Sequence, residues 1–134
     1  MINHDAIRLL DWYFQQHDIF TSDEAVFSKA PKTIIAPSHK LHPIFDSLVE
    51  LVFQRPFTPG ETETDHQIEV HTDRTDTYME LRDHPIINAF RTHFNRPDFE
   101  YYEILDIIFW RLGAMLDAEG LEQTPAEFLQ EHGV

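Results

Sequence analysis

The chain has 134 residues, of which 24 are acidic, 10 are Lys or Arg and 9 are His, giving a formal net charge of −14 at neutral pH. It contains no cysteine, which excludes disulfides, thiolate chemistry and cysteine-ligated zinc. This length predicts a single compact domain over residues 1–134. Residues 1–14 lack the basic and apolar regions of a signal peptide, so we expect a cytoplasmic protein.

The negative charge is concentrated in the second half of the chain. Residues 61–83 carry eight acids against two arginines, and residues 98–134 carry nine acids against one arginine. All three lysines lie between Lys29 and Lys40, so the basic clusters that phosphate contacts need are missing, and we expect no direct binding of nucleic acid. The uneven charge favours a surface that faces a basic protein.

Apolar residues that recur every three to four positions predict helices at about 3–16, 41–54, 85–95, 98–119 and 126–132, with a shorter helical turn at 22–30. Asn3, Thr124 and either Asp83 or His84 stand where residues that cap a helix start are expected. The sequence therefore predicts a mainly helical α+β fold of about four to six helices packed around the helix at about 98–119.

The helix at about 98–119 is apolar around most of its circumference, which predicts that other elements cover it on several sides. We expect Asp98 to cap its start. Its one polar stripe contains Glu103, Asp106, Trp110, Gly113 and Asp117. The charged residues within it interrupt the apolar run of roughly 20 residues that a bilayer requires, so we expect no membrane span.

Residues 67–81 alternate between apolar and polar positions and are rich in β-branched side chains, which predicts a small β-hairpin. Its turn would lie near Asp73 and Arg74. Because an isolated hairpin is barely stable in water, we expect it to pack on the helices through Ile68, Val70, Met79 and Leu81, or through Tyr78. A helical conformation from Thr77 to Arg82 is an alternative.

Two patches of this sequence are candidates for binding a partner. Carboxylates that surround a few aromatic residues suit the capture of a cationic protein, since charge speeds the encounter and aromatic side chains supply buried anchors. The first patch is predicted at Glu61, Glu63, Asp65, Glu69, Asp73, Asp76 and Glu80. The second is predicted at Asp106, Trp110 and Asp117.

The leading functional hypothesis is a non-catalytic module, without a cofactor, that neutralises a basic partner by occlusion, as bacterial immunity proteins or antitoxins do to toxins. An alternative is a mimic of DNA that inhibits a restriction or CRISPR enzyme; regularly spaced carboxylates would favour it. A third hypothesis is a metal-binding or hydrolase domain built from His39, His42, His66 and His71, although their spacing matches no known metal motif. A further alternative is a structural subunit of a larger assembly, in which the helix at about 98–119 is incompletely covered in the monomer. The sequence does not indicate an oligomeric state.

Overall fold

The structure is a computed structural model that describes residues 1–27, 42–118 and 123–134, except for the side chains of residues 42–46. Its helices are α1 (His4–Phe14), α2 (Ile19–Ser22), α3 (His42–Val52), α4 (Glu63–Glu80), α5 (Pro85–Phe94), α6 (Tyr101–Asp117) and α7 (Pro125–Glu131). Residues 24–27 are helical as well. No strand occurs in these described ranges, so the predicted α+β fold is wrong and the observed architecture is all-helical.

Residues 67–81 do not form the predicted hairpin, because nearly all of them lie in helix α4. The inward face of α4 consists of the buried Asp73, Thr77 and Tyr78, beside the half-buried Val70 and Arg74. These positions recur every three to four residues, as a helix requires. Charged and hydroxyl side chains occupy many of them, so hydropathy does not reveal the helical period.

Threonine hydroxyls help to accommodate this β-branched segment in a helix. Thr62 precedes α4 and its Oγ1 accepts a hydrogen bond from the backbone N–H of Asp65 at 3.1 Å. Within the helix, the hydroxyls of Thr72, Thr75 and Thr77 each donate to the carbonyl four residues earlier, at 2.8, 3.0 and 2.7 Å. The helix therefore satisfies the donors that would otherwise compete with its backbone hydrogen bonds.

Helix α6 occupies the centre of the fold, as the sequence predicts for residues 98–119. It contacts α1, α3, α4 and α5, and eight of its residues are buried. The backbone of α3 lies close to α6 at Gly113, where an added Cβ would lie only 1.9 Å from the carbonyl oxygen of Leu48. The absence of a side chain at Gly113 thus permits the contact between the two helix backbones.

The predicted helix starts agree with the structure at three helices and differ at α6. The side chains of Asn3, His84 and Thr124 accept hydrogen bonds from backbone N–H groups in the first turns of α1, α5 and α7. At α6 the N-cap is Glu100 rather than Asp98; the Asp98 carboxylate binds Arg96 instead. The helix ends at Asp117, two residues before the predicted end at about 119.

The buried apolar side chains form one cluster that extends from α1 to α7. Several of its aromatic members meet edge to face, among them Phe20 with Phe90 and Phe53 with Phe109, at ring separations of 5.6 and 5.2 Å. None of the described helices combines the length and the apolar character needed to cross a membrane.

Candidate protein-binding face

Asp106, predicted as part of a binding patch, lies in a cluster that joins α6 to α4. Its Oδ1 accepts hydrogen bonds from Tyr78 Oη at 2.6 Å and from Arg74 Nη2 at 2.7 Å. Only about a fifth of the Asp106 and Arg74 side chains is exposed. Burial, with the neighbouring Asp106 charge, raises the pKa of Tyr78 well above its ordinary value. The Asp106 carboxylate therefore has an internal structural role.

A second cluster of the same composition joins α6 to the segment that follows α2. Asp23 accepts a hydrogen bond from Tyr13 Oη at 2.6 Å, and the Arg111 guanidinium binds the same carboxylate through two hydrogen bonds of 3.1 Å. Burial raises the pKa of the Tyr13 phenol, and the hydrogen bond to Asp23 raises it further. Two Tyr–Asp–Arg clusters thus fix the orientation of α6 against its neighbours.

Two positive groups partly neutralise the acids along one side of α4. The Asp73 carboxylate is largely buried and binds both the amino group of Met1, at 3.0 Å, and Arg55 Nη1, at 3.2 Å. Met1 also pairs with Asp76 at 2.6 Å, and Arg55 pairs with the more exposed Glu69 at 3.3 Å. Asp73 is consequently an internal residue, whereas Asp76 and Glu69 remain accessible from solvent.

Glu61 belongs to a polar cluster in the loop before α4. Its carboxylate accepts hydrogen bonds from Thr58 Oγ1 at 2.8 Å and from His66 Nδ1 at 2.9 Å, and its side chain is only 10 % exposed. The His66 ring stacks on Phe57 with ring centroids 3.8 Å apart. The hydrogen bond from Thr58, followed by that from His66, lowers the pKa of Glu61.

The remaining predicted residues differ in exposure. Trp110 is half buried and packs against the apolar core, so much of its indole already contacts its own chain. Four carboxylates are exposed and form no hydrogen bond or ion pair within the part of the chain that the structure describes. They are Glu63, Asp65, Glu80 and Asp117.

Sequence reasoning missed an apolar row on the outer face of α4. We define the outer face as Ile68, Thr72, Thr75 and Met79, which follow one another at intervals of four, three and four residues. All four are exposed, and the exposed fractions of Ile68 and Met79 are 56 % and 47 %. This is the opposite of the prediction that both pack inward, and the exposed Ile68 and Met79 add an apolar surface to the acidic one.

The outer face continues onto the start of α6. Tyr101 Oη lies 3.2 Å from the sulfur of Met79, and the rings of Tyr101 and Tyr102 meet edge to face at 5.7 Å. Tyr102 is 50 % exposed. Acidic residues accompany this continuation, with Glu80 beside Met79 in sequence and Glu103 directly after Tyr102. An aromatic and thioether surface bounded by carboxylates therefore lies where α4 ends and α6 begins.

The described histidines do not converge on a metal site. No group of three or more histidine and acidic side chains in these ranges is arranged to hold a metal ion. His66 is half buried beside Glu61, whereas His71 is exposed and lies on a different side of α4. His39 and the side chain of His42 lie outside the described residues.

Comparison with known proteins adds no assignment: no protein-family model, curated protein or solved structure gives a significant match to this chain.

Proposed function

We propose that this chain is an acidic protein-binding module that neutralises a basic partner by covering the partner's active surface. The single observation that supports this most is the outer face of α4, where exposed apolar side chains lie beside carboxylates. Ile68 and Met79 can supply apolar contact area, and Asp65, Glu69 and Asp76 can attract a cationic surface. The mode of action is that of bacterial immunity proteins or antitoxins, and it requires neither catalysis nor a cofactor.

Occlusion fits the geometry of the acids better than mimicry of DNA does. The carboxylates at positions 65, 69, 73, 76 and 80 recur every three to four residues, or about every 6 Å along the helix axis. However, Asp73 is inside the fold, and Arg55 pairs with both Asp73 and Glu69. The row of negative charge is therefore interrupted by bound cations. Apolar side chains lie next to it, as in an interface core with a charged rim.

A capture experiment tests the proposed function. The immobilised chain is exposed at low salt to lysate, and each retained protein is identified, purified and mixed with the chain at increasing molar ratios. We expect a cationic protein that loses its activity at one equivalent of the chain, with an association rate constant that falls as salt rises. A variant with Glu63→Gln, Asp65→Asn and Glu80→Gln should associate more slowly. These three carboxylates have no partner among the described residues, so we expect their replacement to leave the fold intact.

Two results contradict the proposal. One is that every retained protein keeps its full activity when saturated with the chain. The other is that the association rate of the inhibited protein is the same at low and high salt, which would show that opposite charge does not guide the encounter.

A further inference from the structure

The outer face of α4 has the residue spacing of a coiled-coil seam. Intervals of four, three and four place Ile68 and Thr75 at heptad positions d and Thr72 and Met79 at positions a. All four residues are exposed, so this seam lacks a second helix within the described part of the chain. The positions that follow Ile68 and Thr75 are Glu69 and Asp76, which are the e positions that set partner choice in paired helices.

The hydroxyl donors of the two threonines in the middle of this seam are already satisfied within the helix, so a partner can cover these residues at little cost. A hydroxyl covered by a partner costs free energy when its donor has no acceptor. Here Thr72 Oγ1 donates to the Ile68 carbonyl at 2.8 Å, and Thr75 Oγ1 donates to the His71 carbonyl at 3.0 Å. A helix laid across them would meet mainly their methyl groups, and neither hydroxyl donor would be left unsatisfied.

The charge beside the seam defines the chemistry of its occupant. Glu69 and Asp76 are accessible, although each already pairs with one cation of the chain, Arg55 and the Met1 amino group. Asp65 and Glu80, whose carboxylates are exposed and have no partner among the described residues, extend the negative charge towards the two ends of the helix. We propose, building on the proposed function, that the seam binds an amphipathic helix of the basic partner, with apolar residues at a and d and Lys or Arg beside them. A second copy of the chain fits less well, because pairing would bring two acidic helices together.

A synthetic helical peptide provides the probe. It has three heptads, with leucine at a and d and lysine at e and g; a matched peptide has glutamate in place of every lysine. Titration calorimetry of the full chain at physiological salt should show binding of the lysine peptide and none of the glutamate peptide. Binding of both with equal affinity, or of neither, would overturn the seam assignment.

Two arginine substitutions on the same helix separate seam docking from general attraction. Thr75→Arg puts a large cation in the middle of the seam. Gln67→Arg adds the same positive charge at an exposed position off the seam. We expect Thr75→Arg to weaken binding of the lysine peptide at least a hundredfold and Gln67→Arg only a few-fold. Circular dichroism should show both variants folded, since both positions are exposed. Equal losses in the two variants would refute docking on the seam.

Truncation of the apolar ends gives an independent measurement. Ile68→Ala and Met79→Ala should each lower the affinity for the lysine peptide about tenfold, which corresponds to ~1.4 kcal/mol of binding free energy. The double substitution Asp117→Asn with Glu131→Gln, which removes two exposed negative charges far from the seam in sequence, should weaken binding of the peptide less. If that pair weakens binding as much as the truncations do, the peptide is held by net charge and the seam assignment is wrong.

The same variants distinguish this inference from the proposed function. If a captured basic partner is inhibited equally by the Thr75→Arg and Gln67→Arg proteins, the partner binds elsewhere, so the seam assignment fails while the proposed function stands. If no basic protein is inhibited by any version of the chain, the proposed function fails, and the peptide pair alone decides whether the seam binds a helix. Sedimentation analysis could also show a dimer that Thr75→Arg dissociates and Gln67→Arg does not. That result would assign the seam to a second copy of the chain and refute its assignment to a basic partner.

Discussion

Replacement of Gly113 by alanine tests the contact that places α3 against α6. In an isolated helix this change would stabilise by about 1 kcal/mol, because glycine is a poor helix former. In the folded chain the new Cβ would lie 1.9 Å from the carbonyl oxygen and 2.5 Å from the carbonyl carbon of Leu48. Ordinary contact begins near 3.4 Å, so α3 would have to move by about 1.5 Å.

The expected cost follows from the kind of atoms that collide. The atoms that the new Cβ would meet are backbone atoms of Leu48 in α3, so no side-chain rotation can relieve the collision. Overpacking of a core typically costs 1–3 kcal/mol and occasionally more, and a displaced backbone lies at the upper end of that range. After the gain in helix propensity, we expect Gly113→Ala to lower the free energy of unfolding by about 2 kcal/mol. The melting temperature should fall by about 8 °C.

Urea unfolding followed by circular dichroism measures this free energy, and Ala114→Gly is the matched control on the adjacent residue. The control removes a methyl group from the same helix and should cost about 1 kcal/mol through propensity alone. Were Gly113→Ala to raise the stability by the amount that propensity predicts, α3 would not press on α6 at this point. The reasoning from the helix contact would then be refuted.

Two pH-dependent predictions concern groups with perturbed pKa values. The pKa of Tyr78 is raised, so the stability that its phenol contributes is complete below about pH 10, the ordinary tyrosine value, and is lost as pH rises beyond it. Unfolding in base should therefore be accompanied by ionisation of this phenol, which ultraviolet absorbance detects. Tyr78→Phe should remove one phenol from that ionisation step. The lowered pKa of Glu61 contributes stability above about pH 4.5 that is lost as pH falls through its folded value. Glu61→Gln should flatten the acid side of the curve of melting temperature against pH, and an unchanged curve would contradict the bonds from Thr58 and His66.

Much of the helical fold could be predicted because its signals are local. Asn3, His84 and Thr124 cap helices through residues two or three positions away, so the short sequence around each contains the information. The apolar circumference of the segment near 98–119 likewise identifies α6 as the central helix. The N-cap of α6 is Glu100 and not the predicted Asp98. The Glu103 carboxylate accepts a hydrogen bond from the Glu100 N–H at 3.3 Å, and the spacing of three residues between the two glutamates permits this pairing.

Helix α4 was mispredicted because its inward side is polar. Asp73 and Thr77 are buried there by partners distant in sequence, including Arg55 and the backbone N–H of Asn3, which donates to Thr77 Oγ1 at 2.9 Å. Hydropathy cannot anticipate such partners, and the alternation of Ile68 with its neighbours resembled a strand. One local signal did point to a helix, since a threonine followed three residues later by an acid is typical of a helix start.

The sequence shows the number and the positions of the acidic residues, but it does not show which of them a partner can reach. Seventeen acids lie beyond residue 60, yet Glu61, Asp73 and Asp106 are already bound to other groups of the same chain. Their internal partners are three to 32 residues or more away, and only the folded arrangement reveals them. The exposed apolar side chains of the outer face were missed for the same reason, because their outward direction depends on the helical conformation of α4.

This division between internal and available acids leads to a direct stability test. Asp106→Asn keeps the size of the side chain and an acceptor for Tyr78 but leaves the Arg74 guanidinium beside a neutral group. Breaking a fully buried ion pair costs roughly 3–5 kcal/mol; because about a fifth of each side chain is exposed, we expect a smaller loss of about 1–3 kcal/mol. Glu80→Gln removes the same charge from an exposed position that has no partner in the part of the chain that the structure describes. It should change the free energy of unfolding by less than about 0.5 kcal/mol. Similar effects in the two variants would mean that Asp106 contributes no more to the stability of the fold than Glu80 does, and the assignment of an internal structural role to Asp106 would be wrong.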